Sequence, residues 1–175
     1  MNENTKPPRK RRQTRAVHGG TARSRFDETC EAIFFTSGFV YDTAEDAEAA
    51  FNNVRPRYQY SRFGNPTVAM FEARMCELEG AAAARATASG MAAVFASLMS
   101  QLKAGDRVVA SDALFGSCHY IIAEILPRFG VESVLVDGRD LGQWKKALAK
   151  PTAAVFLESP SNPQLRIVDI PAVCE

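Results

Sequence analysis

From Gly105 onward the chain alternates short apolar runs with amphipathic segments, and this rhythm restricts the fold more than any other feature. Arg107 to Ser111, Val131 to Val136 and Ala153 to Leu157 read as strands. Their hydrophobicity is almost unbroken, as expected of strands covered on both faces. Cys118 to Phe129 reads as a helix that buries Ile121, Ile122, Ile125 and Leu126 and ends at Gly130. Leu141 to Ala149 reads as another, capped by Asp140, and Asp169 with Pro171 opens one more. Strands that alternate with helices pair through crossovers, so a parallel α/β sheet is predicted. Neither GxGxxG nor GxxxxGK[ST] occurs, which removes support for a dinucleotide site or a P-loop.

Upstream, Tyr60-Ser61-Arg62-Phe63-Gly64-Asn65-Pro66-Thr67 leads into a helix. Asn65 is a good N-cap, and Pro66 at the first helical position loses no needed N–H. Val68, Phe71, Met75 and Leu78 recur at helical spacing and are expected to form its buried face. Gly80 supplies the stop. A second helix is expected from Ser89, its cap, through Met91, Val94, Phe95, Leu98 and Leu102. Gly90 has no Cβ, so a ligand can approach the backbone there. Free N–H groups at such a helix start suit a phosphate. Arg62 adds a charged planar fork and Tyr60 a hydroxyl donor. A shorter helix is expected after Thr43, with Ala44, Ala47, Ala50 and Phe51 on its apolar side, and Phe34 to Tyr41 reads as extended chain.

With 46% hydrophobic residues the 175-residue chain has enough apolar side chain for a core, and its net charge of +1 argues for no particular partner. Cys30, Cys76, Cys118 and Cys174 are scattered, which argues against zinc and a disulfide framework and fits a reducing cytoplasm. There is no membrane-spanning apolar run and no secretory signal pattern. Residues 1 to 25 stand apart: Lys6, Arg9, Lys10, Arg11, Arg12 and Arg15 accompany almost no large apolar residue. A flexible leader is the expected outcome; a nucleic-acid or anionic-surface arm is the other reading of the same charge. Cys118-His119 is not expected to act as a nucleophile pair, because adjacent helical residues do not face each other.

The two motifs together, Tyr-Ser-Arg-Phe-Gly-Asn-Pro-Thr and Ala-Ser-Gly-Met-Ala-Ala, resemble those of the Cys/Met-metabolism family of pyridoxal-phosphate (PLP) enzymes, from about Arg15 to the last residue. The resemblance implies the large domain of an aspartate aminotransferase-like (fold type I) transferase with an incomplete sheet. It also implies a domain plan: a leader over 1–25, an N-terminal arm and interface segment over 26–65, and an incomplete PLP-binding α/β domain over 66–175. In the family, the residues matching Tyr60 and Arg62 reach the phosphate of an adjacent subunit, while Ser89, Gly90 and Met91 serve the phosphate of their own. Phe115, in Asp112-Ala113-Leu114-Phe115-Gly116, matches an aromatic ring stacked on PLP. Many members carry Tyr there; a phenyl ring stacks but moves no proton. Glu158-Ser159-Pro160-Ser161-Asn162-Pro163 resembles the family's Glu-(Thr/Ser)-Pro-x-Asn-Pro turn, whose Asn neighbours the phenolic oxygen of PLP and whose Glu shapes the same region.

Together with Leu-Phe-Gly-Ser-Cys-His-Tyr, these motifs are most similar to the O-succinylhomoserine sulfhydrylase branch. The implied reaction joins O-succinyl-L-homoserine and sulfide to give homocysteine, in a homodimer or homotetramer, with no nucleic-acid or membrane partner. Cystathionine γ-synthase and methionine γ-lyase are the alternatives within the family. The family's PLP-bearing lysine lies in a Ser-x-Thr-Lys context, and its pyridine-pairing Asp is also distant. None of Lys6, Lys10, Lys103, Lys145, Lys146 and Lys150 has that context. The expectation is therefore an N-terminal part of a longer enzyme, or a truncated product that binds anions without turnover.

Overall fold

The three expected strands form one parallel sheet, in the order β2-β1-β3, in a computed structural model that describes residues 11–175. The basic residues Lys6, Arg9 and Lys10 lie outside the described residues. Strand β1 (Arg107–Ser111) is central, with Val109 opposite Val134 of β2 (Glu132–Val136) and opposite Val155 of β3 (Ala154–Phe156). The described residues divide into two compact units, residues 11–86 and 87–175.

In the C-terminal unit, helix α4 (Gly90–Met99) precedes β1. Helix α5 (Gly116–Tyr120) runs without interruption into a π-helical turn, Ile121–Ile125, and a last short turn, α6 (Leu126–Arg128). Together they replace the single α-helix expected over Cys118–Phe129. Leu98, Leu102, Val108, Ala110, Ile122 and Leu126 form one apolar cluster with them. Helix α7 (Leu141–Leu148) buries Trp144 and Ala147 in a second cluster with Val109 and Val136. The indole N–H of Trp144 donates to the Gly138 carbonyl at 3.0 Å, so the largest buried side chain leaves no polar atom unpaired. Helix α8 (Ile170–Cys174) is capped by Asp169, as α7 is by Asp140.

The N-terminal unit departs further from expectation. The leader is helical over α1 (Arg12–His18), where an unordered segment through Arg25 was expected. Its partner is helix α3 (Pro66–Glu79), whose Arg74 donates to the Gly19 carbonyl at 3.0 Å and to Thr21 Oγ1 at 3.2 Å and pairs with Glu31. Arg15 donates to the Glu77 carbonyl. These polar bonds supply what the leader lacks in apolar side chains. The expected apolar face of α3 is also displaced: Met70 is buried, at 6% exposure, whereas Val68 and Phe71 are 42% and 56% exposed. Gly20 settles which side of α3 is covered, because it lies so close to Ala73 and Arg74 that a Cβ there would stand 2.7 Å from the Arg74 nitrogen. Helix α3 lies in this unit with the segments that precede it. Helix α2 (Ala44–Phe51) follows its Thr43 cap as expected.

Candidate functional site

In the N-terminal unit, Tyr60 is held by an antiparallel bridge to Gly38. Bonds from Phe39 N–H to the Gln59 carbonyl (3.2 Å) and from Ser61 N–H to the Ser37 carbonyl (2.8 Å) flank that bridge. The Phe63 and Gly64 N–H groups then fold back onto the Tyr60 carbonyl. Buried Asn65 locks the turn: its carboxamide accepts from Thr67 N–H at 2.9 Å and donates to the Phe34 carbonyl and Ser61 Oγ. The Arg62 guanidinium lies over the Phe63 ring at 4.9 Å and the Tyr60 ring at 5.6 Å. Arg62 and Tyr60 are both exposed, so the fork and the hydroxyl are open to a ligand.

In the C-terminal unit, Ser89 caps α4 by accepting from Ala92 N–H at 3.1 Å. A helix gives its first N–H groups no acceptor, so those of Gly90 and Met91 remain available. A Cβ placed on Gly90 would meet nothing within 4 Å, which leaves open space against the backbone. Strands β1 and β3 are neighbours and parallel, so the segments after both emerge at one edge of the sheet. Phe115 follows β1 and is 42% exposed. Glu158 follows β3, and its two carboxylate oxygens accept from Phe115 N–H at 2.9 and 3.0 Å. Oε2 of Glu158 also accepts from Asn162 N–H at 3.2 Å, and Asn162 itself is exposed. The site residues thus fall in two places, Tyr60 and Arg62 in one unit and the other six in the second.

Burial, followed by the charge of Glu158 and a hydrogen bond to it, pushes the Cys118 thiol up from its ordinary range. A buried thiol held protonated is a poor nucleophile, in keeping with the exclusion of Cys118-His119. Two features escaped the sequence reading. Arg166 pairs with Asp112 at 3.4 Å, just past the end of β1. Ser161 is buried and closes the turn, accepting from Arg166 N–H at 3.1 Å. A strand-end carboxylate was a visible signal for Asp112; its partner, 54 residues away, was not. Among the described residues no helix is long and apolar enough to cross a membrane, and no His/Cys/Asp/Glu cluster could hold a metal ion.

The Cys/Met metabolism PLP-dependent enzyme family matches residues 13–175. The chain is 58% identical over 162 residues to an O-succinylhomoserine sulfhydrylase of Mycobacterium tuberculosis, covering 93% of this chain and 40% of that protein. It is 40% identical over 160 residues to an L-methionine gamma-lyase of Fusobacterium nucleatum, covering 91% and 40%. The fold agrees with a Campylobacter jejuni protein assigned as an O-acetylhomoserine (thiol)-lyase, solved with N'-pyridoxyl-lysine-5'-monophosphate. There the TM-score is 0.82 at 33% identity, over 91% of this chain and 39% of that one. The chain spans about 40% of the length of the curated relatives it matches. A match across nearly all of its residues, on a fold shared with solved members, makes this chain a member of the Cys/Met metabolism family of PLP-dependent enzymes.

Proposed function

We propose that this chain supplies the phosphate grip and the ring-covering wall of a PLP-dependent enzyme that makes homocysteine from O-succinyl-L-homoserine and sulfide. The 58% identity with O-succinylhomoserine sulfhydrylase carries the substrate reading. The residues present fit PLP. Open space beside Gly90, with two amide donors at the start of α4, suits a phosphate. The exposed Phe115 ring suits a pyridine face, and the Asn162 carboxamide can donate to a phenolic oxygen. When bound, PLP supplies an electron sink beside the substrate amine.

The chain's own residues then have distinct tasks. Ser89, Gly90 and Met91 fix the position of the phosphate. Phe115 covers one face and excludes water; having no hydroxyl, it leaves every proton transfer to other groups. Tyr60 and Arg62 neutralise a phosphate held by a second copy, so competence requires at least a dimer. The chemistry uses no thiol of this chain, in keeping with a Cys118 held protonated by burial.

The test exchanges residues 13–175 for the matching stretch of the M. tuberculosis sulfhydrylase. The chimera should form homocysteine from O-succinylhomoserine and sulfide, with O-acetylhomoserine and cysteine as poorer co-substrates. Adding Arg62→Ala should raise the PLP needed for half-maximal activity by roughly tenfold, as loss of a charge-assisted bond implies. A folded, PLP-loaded chimera that only cleaves methionine, or that prefers cysteine as acceptor, would overturn the substrate reading.

Taken alone, the 175 residues favour a second reading, a grip without turnover. Lys103, Lys145, Lys146 and Lys150 are all exposed, and none lies in the turns that carry Gly90, Phe115 or Glu158. Borohydride treatment of the chain with PLP should give no stoichiometric labelling of one lysine; such labelling would remove this second reading.

A further inference from the structure

The segments after β1 and β3 are brought together by the sheet, but a sheet edge does not orient a side chain that stands several residues beyond it. Phe115 needs a restraint of its own if its ring is to meet a ligand in one plane. The structure holds such a restraint. Both oxygens of Glu158 accept the Phe115 N–H, and one of them also accepts the Asn162 N–H. The carboxylate is half-buried, so competition from water is reduced. Cys118, in the first turn of α5, is buried, and burial together with the charge of the same carboxylate pushes its thiol up. Glu158 is thereby committed to two backbone amides, and it is poorly placed to be a ligand-contacting group.

We infer that Glu158 is a positioning residue: its carboxylate ties the Phe115 backbone to the Asn162 backbone and so fixes, at once, the ring and the carboxamide that face the cofactor. This rests on the reading of Phe115 and Asn162 given above. Glu158→Gln keeps the size, but with its one oxygen at the Oε2 position it sets an NH2 group against the Phe115 N–H, and its neutral oxygen is a weaker acceptor, so the shared grip is weakened.

The test uses the full chain and pyridoxamine 5'-phosphate, which has no aldehyde for surface lysines to trap. Amide hydrogen exchange at Phe115 and Asn162 is read together with the induced circular dichroism of the bound probe, in wild type, Glu158→Gln, Phe115→Ala and the double variant. Trp144 emission, from the other apolar cluster, reports whether the fold is kept. Glu158→Gln should speed exchange at both amides by roughly tenfold or more, the loss of a bond to a charged group. It should also shrink the induced band, and the loss should be smaller in the Phe115→Ala background, where only the Asn162 carboxamide is left to misplace. Unchanged exchange, or an equal loss in both backgrounds, would overturn the inference. If the Gln variant disturbs Trp144 emission, Glu158→Asp is read instead, with the charge kept and the reach shortened; a wild-type induced band there would overturn the inference too. An intact band in Glu158→Gln beside a normal wild-type band sinks this inference alone. No band in wild type sinks the cofactor reading and this inference with it.

Discussion

The two units reach order by different means. The C-terminal unit builds two apolar clusters around a parallel sheet, with Val108, Val109, Ile122, Leu126 and Trp144 almost fully buried. Among the described residues of the N-terminal unit only Ala50 and Met70 stand among the buried apolar side chains, while Phe26, Ile33, Phe35, Val40 and Phe63 are exposed. Its geometry depends on directed bonds: Arg74 on the α1 turn, Asn65 on Phe34 and Ser61, and the Gly38–Tyr60 bridge. Apolar burial is summed over many contacts, whereas a polar clamp acts at one place. The C-terminal unit should therefore lose structure cooperatively and the N-terminal unit should open locally at lower free energy.

The largest expected effect is in the sheet unit. Trp144→Ala removes a side chain that is 1% exposed and orphans the Gly138 carbonyl. A cost of about 3–5 kcal/mol is expected, read as a shifted urea midpoint by far-ultraviolet circular dichroism. A shift worth under about 1 kcal/mol would mean that the second cluster does not carry this unit.

Asn65→Ala tests the other side of the comparison. It removes the cap on Thr67 N–H and two side-chain donations, at an expected cost of about 1–2 kcal/mol. Hydrogen exchange should quicken across residues 34–67 and stay unchanged in β1 and α7. Exchange that quickens equally in both units would show that they do not open separately.

The smallest effect is a pH dependence within the C-terminal unit. Side-chain bonds from Arg139, helped by its backbone N–H, hold the Asp137 carboxyl down at about 2. This lies below the unfolded value of about 3.9, so the stabilisation is present above that value and is lost as the pH falls through about 2. The Asp137 side chain is partly exposed and its partner Arg139 more so, and the effect should be slight. Trp144 emission, followed from about pH 5 to about pH 2, should respond to acid less in Asp137→Asn than in wild type. Identical curves would assign the acid response of this unit to other groups.

Much of the fold was legible because its signals are local. Thr43, Asn65, Ser89, Asp140 and Asp169 all accept from N–H groups two or three residues ahead, so a short window of sequence contains both partners. Gly80 takes the left-handed conformation that ends α3, with φ of 69°. The strands were legible within a residue or two because their apolar runs are continuous. The leader helix was not: its polar bonds reach Arg74 and Glu77, more than 50 residues away, and composition carries no trace of that reach.

The amino-acid sequence by itself determined the element order, the caps and the motifs that mark Gly90, Arg62, Phe115 and Asn162. Helical spacing did not reveal which side of α3 is covered, since that depended on how closely Gly20 approaches Ala73 and Arg74. Nor could it reveal that Glu158 binds backbone. That bond spans 43 residues and exists only because β1 and β3 lie side by side. Periodicity and capping are short-range hydrogen-bond and burial effects, while a carboxylate finds a distant amide only after the sheet has formed.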